Sequence, residues 1–219
     1  MLATPRHRSV VMGRDRDVLP LLLDLHAAPA PEILDVTHNR GVMWKGTSYR
    51  PTTMDIDPTF DCDVTADFRA IPFPGGSFDV VVFDPPHLPA AAASVGSSGI
   101  WRSRYGIVAT GDYRQGDNVS PAFFDFLVEA KRVLRPDGIV LAKIADLVHN
   151  HSYQWQHVDF INAARATDLT PCDVVVKVDP SHANLASSKW TTVHHLRSAH
   201  TFWIVVRKGR CERSRGAPN

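Results

Sequence analysis

Apolar and polar positions along the 219-residue chain fall into short runs of two kinds. The first is a nearly continuous apolar stretch closed by an acidic or turn-forming residue, as in a strand buried on both faces of a parallel sheet. Glu32–Thr37, Thr52–Asp57 before Pro58, Phe78–Phe83 before Asp84-Pro85-Pro86, Ile139–Ile144, Asp173–Val178 and Thr201–Val206 read this way. The second kind repeats every three to four positions, as one face of a helix does. Phe123, Phe126, Leu127, Ala130, Val133 and Leu134 share such a face behind Ser120-Pro121, an N-cap residue and a first-turn proline. Arg135-Pro136-Asp137-Gly138 predicts the end of that helix, and Trp155, Val158, Ile161 and Ala164 mark another. Strands alternating with helices predict an α/β domain with a largely parallel sheet and right-handed crossovers.

Residues 1–208 read as one domain, with residues 1–30 as a lead-in that contains a helix. Two segments escape the alternation. Leu88–Val119 is a 32-residue connection with Ala-rich and Gly/Ser-rich pieces, and connections that long are functional loops or lids, or disordered. Gly209–Asn219 is a polar tail without periodicity, and a disordered one is expected.

Composition changes the picture only by exclusion. With 44% hydrophobic and 21% charged residues and a net charge of +1, the chain has ordinary globular character and is not a uniformly basic binder. Charge is nevertheless segregated: aspartates gather at predicted strand ends, while Arg207, Lys208, Arg210, Arg213 and Arg215 face only Glu212 at the other end of the chain. Cys62, Cys172 and Cys211 are widely spaced and form no CxxC pair, so neither a disulfide framework nor a cysteine zinc site is expected. The eleven histidines show no metal-site spacing, and no metal is expected. No apolar run approaches the ~20 residues of a membrane helix. The signal-like run at Val18–Leu23 is broken by Asp24 and His26. A cytoplasmic location is the expectation, and the sequence leaves the oligomeric state open.

In an open α/β sheet ligands sit beyond the carboxyl ends of the strands. Asp35, the loop to Gly41, Asp55, Asp57, Asp67 and Asp84 would stand there. A nucleoside calls for a glycine turn and a carboxylate for its ribose hydroxyls, and Asp55 lies 20 residues beyond Asp35. No G-x-G-x-x-G follows the first of these strands, which argues against a dinucleotide. Asp84-Pro85-Pro86-His87 carries the reactive chemistry. The prolines stiffen the strand end and remove competing N–H donors. The Asp84 carboxylate and the Pro85 carbonyl can then accept both hydrogens of an exocyclic amino group, with His87 stacking on the ring that bears it.

These residues resemble the class I S-adenosylmethionine-dependent methyltransferases. The resemblance runs over residues 31 to 208: Ile33-Leu34-Asp35 with Gly41, Met54-Asp55-Ile56-Asp57, Ala66-Asp67-Phe68 through Ile71-Pro72-Phe73-Pro74, Phe78-Asp79-Val80-Val81, and Arg132 to Gly138. Asp84-Pro85-Pro86-His87 is similar to the Asp-Pro-Pro-aromatic element of the nucleic-acid amino methyltransferases. The resemblance implies a Rossmann-like sheet, mostly parallel with an antiparallel last strand and helices on both faces. It implies that Asp35, Thr37 and Gly41 line the methionine end of S-adenosylmethionine, Asp55 binds its ribose, and Asp67 with Phe68 holds its adenine. Asp84, Pro85, Pro86 and His87 would hold adenine or cytosine of a nucleic acid, DNA before RNA. Thr37-His38-Asn39-Arg40-Gly41 departs from the family's G-x-G, and His87 replaces the commoner Tyr, Phe or Trp.

A base inside a duplex must be flipped out to reach such a pocket. Trp101, Arg102, Arg104 and Tyr105 in the long loop mix guanidinium groups with aromatic faces, which suits phosphate contact and base stacking. An RNA base, a protein glutamine amide, and a catalytically inactive nucleic-acid-binding subunit stand as alternatives.

Overall fold

Phe78–Phe83 forms the strand β5 because β-branched and aromatic side chains suit a pleated surface buried on both sides. Val80 and Val82 face one side and Val81 and Phe83 the other, all fully buried. The computed structural model describes residues 8–85, 120–149, 152–178, 195 and 198–211. Its elements are β1 (Val10–Met12), α1 (Asp15–His26), β2 (Ile33–Asp35), a 3-10 turn (Val42–Trp44), β3 (Thr52–Asp55), β4 (Val64–Thr65), β5, α2 (Ser120–Val133), β6 (Leu134–Ile144), β7 (Leu147–His149), β8 (Ser152–Gln154), α3 (Gln156–Ala166), β9 (Thr170–Val178) and β10 (His200–Arg207).

Eight strands make one sheet in the order β1-β9-β10-β6-β5-β2-β3-β4. Every neighbouring pair is parallel except the two made by β10, with β6 and with β9. The mostly parallel sheet with an antiparallel last strand is therefore present. α1 covers one face, where Val18, Leu19, Leu22 and Leu23 pack on Val80, Val82, Leu141, Val175 and Trp203. α2 and α3 cover the other, where Phe123, Phe126, Leu127 and Phe160 pack on Val81, Phe83, Val140, Ala142 and Ile204. Phe83 stacks on Phe126 with ring centroids 3.9 Å apart and meets Phe68 edge-on at 5.1 Å. Such ring pairs add about 0.5–1.5 kcal/mol beyond the area they bury.

Four details differ from the sequence expectation. β1 and β4 are too short to show a period, and the β7–β8 hairpin lies in a polar stretch. The Arg135–Gly138 tetrapeptide lies inside β6 instead of in a helix-ending turn. Leu134 pairs with Phe78, the register then shifts, and Asp137 takes a positive φ of 62°. α3 buries Gln156, Phe160 and Ala164, a face rotated from the expected one, and leaves Trp155 and Val158 exposed. Finally, Cys172 and Cys211 are joined in a disulfide with Cα atoms 5.7 Å apart. The antiparallel β9–β10 pairing brings together two cysteines that are 39 residues apart in sequence, which spacing alone does not reveal. Among the described residues no helix is long and apolar enough to cross a membrane.

Candidate active site

The parallel strands β2, β3, β4 and β5 end on one edge of the sheet, and this edge collects the predicted aspartates. Asp35, at the end of β2, is fully buried. Its Oδ2 accepts from the Trp44 indole N–H at 2.7 Å and lies 3.0 Å from His38 Nδ1, while Oδ1 accepts from the Thr37 N–H at 3.2 Å. The Asp35 hydrogen bond raises His38 above its ordinary range, against the opposing effect of burial, and the charges of Asp35, Asp55 and Asp63 add to the rise. Gly41 sits in the left-handed region at φ 59°, and a β-carbon there would come within 2.6 Å of the His38 ring. The glycine thus makes room for His38.

Asp55, at the end of β3, is 7% exposed. Oδ2 accepts from the Asn39 N–H at 2.8 Å and Oδ1 from the Asp57 N–H at 3.0 Å. Burial pushes its carboxyl up, opposed by these two N–H donors. Ile56 beside it and Val42 on the neighbouring loop are exposed apolar side chains. Asp67 follows β4 and holds Arg69 through a 2.6 Å contact. Burial alone would raise Asp67, but the hydrogen bonds and charge of Arg69 outweigh it and lower its carboxyl. Phe68 is buried in the aromatic core against Phe83 and Phe126.

Asp84 is half-buried and Pro85 buried at the end of β5. The Asp84 N–H donates to Thr37 Oγ1 at 2.8 Å, tying the reactive strand end to the loop after β2. Its carboxylate Oδ2 receives Lys143 Nζ at 3.0 Å. Lys143, from β6, also meets Asp15 Oδ2 at 3.0 Å, and Asp15 Oδ1 meets Lys177 Nζ of β9 at 2.9 Å and accepts from the Trp203 indole at 3.2 Å. Burial would lower the Lys143 ammonium, but the Asp84 and Asp15 charges override it and raise it above the ordinary lysine range.

The structure therefore brings Asp35, Thr37, Gly41, Asp55 and Asp84 to one edge of the sheet. Pro86, His87, Trp101, Arg102, Arg104 and Tyr105 lie outside the described residues, as do the rest of the 88–119 connection and residues 212–219 of the tail. Lys143, Asp15 and Lys177 were missed by sequence reasoning. A signal for two of them exists in the period of two: Lys143 follows Leu141, and Lys177 follows Val175, on the face that α1 covers.

No family model matches the chain, and no curated protein matches it. Solved structures do. A SAM-dependent methyltransferase from Methanosarcina mazei superposes with a TM-score of 0.51 at 11% identity, over 85% of this chain and 96% of that one. A SAM-dependent methyltransferase from Thermotoga maritima, described as a possible histamine N-methyltransferase, gives 0.53 at 12% identity over 89% and 87%. The Burkholderia thailandensis 1,6-didemethyltoxoflavin-N1-methyltransferase, with S-adenosylhomocysteine bound, gives 0.51 at 13% over 90% and 77%. At such identities the likeness concerns architecture, and it agrees with the strand order: the chain has the class I, Rossmann-like methyltransferase fold.

Proposed function

We propose that the chain is an S-adenosylmethionine-dependent N-methyltransferase acting on an exocyclic amino group of a nucleobase, adenine or cytosine, with DNA favoured as the carrier. The observation that carries this reading is the Asp84–Thr37 hydrogen bond at 2.8 Å. It ties Asp84 at the end of β5 to the loop before Gly41, so an amine held by Asp84 would lie beside whatever the loop holds.

The residues present fit the nucleoside half of the cofactor. Asp55 keeps carboxylate lone pairs beyond the two backbone donors it accepts, enough for ribose hydroxyls. Exposed Ile56 and Val42 offer apolar surface to a flat base. When bound, S-adenosylmethionine supplies a sulfonium methyl group already activated for displacement. The chain's own contribution is position and charge. Asp84 and the Pro85 carbonyl would accept the two N–H hydrogens and aim the nitrogen lone pair at the methyl carbon, so that the N–C bond forms as the C–S bond breaks and its electron pair stays on the departing sulfur. The surplus amine proton then leaves to solvent. Paired with Lys143, Asp84 orients the amine and does not act as a strong base. Asp67 and Phe68 are proposed at the adenine, His87 as a stacking partner, and Trp101, Arg102, Arg104 and Tyr105 as contacts to the nucleic acid.

One observation favours a second reading, an inactive methyltransferase-fold binding subunit: Asp35 is consumed by its own loop, and His38 fills the space above Gly41. The deciding experiment is calorimetry with S-adenosylmethionine alongside transfer of labelled methyl groups to DNA, RNA, protein and small heteroaromatic amines. Asp84→Ala is expected to lower transfer by at least about 100-fold while binding persists. Normal turnover in that variant removes the assignment, and absent binding in the wild type favours the inactive subunit.

A further inference from the structure

Four charged side chains at the top of the α1-covered face alternate in sign: Asp84, Lys143, Asp15 and Lys177, joined by contacts of 3.0, 3.0 and 2.9 Å. They come from β5, β6, α1 and β9, and Trp203 of β10 donates to Asp15 as well. Two residues below on the same strands the positions are Val82, Leu141 and Val175, an apolar layer that α1 covers with Val18, Leu19 and Leu22. The fold at this depth is satisfied by hydrocarbon. A buried ion pair is weak support for stability and is often replaceable by apolar side chains of similar volume. Packing therefore gives no reason for the charges to begin one layer higher.

Asp84 gives one. Its carboxylate stands at the strand end proposed to hold an amine, and an acceptor must keep a fixed plane to catch two N–H groups. The plane of a carboxylate on a short side chain is set by the groups bonded to it. A cation bonded to Oδ2 from below fixes it. Lys143 is 14% exposed, and its ammonium bridges two carboxylates. Lys177 offsets the second of these, so that Asp15 does not add an uncompensated negative charge beneath Asp84.

Resting on the proposed transfer reaction, we infer that Lys143 is a positioning residue that locks the Asp84 carboxylate, and that Asp15 and Lys177 hold Lys143 in turn. The segment read from sequence as a lead-in helix then belongs to the site, because α1 contributes Asp15 at its first turn.

The test compares wild type, Lys143→Met, Lys143→Arg and Asp15→Asn. Lys143→Met is expected to lower kcat by roughly 100-fold, the scale of a misplaced reacting group, with the KM for S-adenosylmethionine nearly unchanged. Lys143→Arg restores the charge and is expected to recover most of the lost turnover. Asp15→Asn falls between the two. Loss of kcat and cofactor binding together with a large fall in Tm, without recovery in Lys143→Arg, makes Lys143 a structural strut and overturns the inference. So does full turnover in Lys143→Met. Should the wild type methylate no acceptor, the functional reading fails by itself. A carbon-13 titration of the Asp84 carboxylate then decides the pairing: Lys143 contacts it at 3.0 Å, with Asp15 behind Lys143 and met in turn by Lys177 and the Trp203 indole. Removing Lys143 is expected to move that titration upward, and an unmoved titration overturns the inference.

Discussion

Asp35 and Asp84 end adjacent parallel strands and have opposite fates. Asp35 is fully buried and spends its carboxylate on three donors from its own loop, Trp44, His38 and Thr37. Asp84 keeps 21% of its side chain exposed and pairs with Lys143 of the neighbouring strand. The first acid organises backbone, and the second is presented. Sequence position alone cannot separate them, since both follow an apolar run. What separates them is whether the following residues fold back with donors: Thr37-His38 and Trp44 do so after Asp35, whereas Pro85 has no N–H to offer Asp84.

This contrast predicts crossed phenotypes. Asp84→Ala is expected to remove transfer and leave Lys143 paired with Asp15, so the stability loss stays near about 1–2 kcal/mol. Asp35→Ala strands the indole and backbone donors in the interior and is expected to cost about 3 kcal/mol, read from urea unfolding. Equal stability losses in the two variants would erase the distinction between a structural and a presented acid.

How much of this was legible follows from the same residues. β5 was readable to the residue, because Phe78–Phe83 is buried on both faces and Asp84-Pro85 stops it. The helix face of α3 was misplaced because Trp155 and Val158 look like core and are exposed, while Gln156 is buried. Asp35, Asp55 and Asp84 were found as strand-end acids, yet their partners were invisible: Lys143 lies 59 residues from Asp84 and 128 from Asp15. Pairings of that kind are set by the sheet order, where β6 neighbours β5 and β9 lies beyond β10. The Cys172–Cys211 pair was hidden for the same reason.

A smaller effect tests the loop side of the contrast through pH. The Asp35 hydrogen bond raises His38 above its unfolded value, so the contribution of the ring is fully present below about pH 6.5 and fades as pH rises through the higher folded value. The stability difference between wild type and His38→Gln is therefore expected to be largest below about pH 6.5 and to shrink as pH rises above it. A difference that grows with pH would mean that the neutral ring is the one Asp35 prefers. The activity of the Asp84 side should not follow this titration, since Lys143 stays charged throughout that window.

The smallest expected effect concerns Asp67, a third strand-end acid that resembles neither of the other two. Its partner Arg69 is two residues along the chain and both side chains are partly exposed, 30% for Arg69 and 23% for Asp67. Solvent screens such a pair, and Arg69→Ala is expected to cost only about 0.5 kcal/mol of stability. The informative reading is on binding. If Asp67 serves the adenine of S-adenosylmethionine, releasing it from Arg69 changes the dissociation constant by severalfold with kcat unaltered at saturation. An unchanged dissociation constant would assign Asp67 to the turn that Arg69 closes, and leave Asp55 as the acid on which cofactor binding rests.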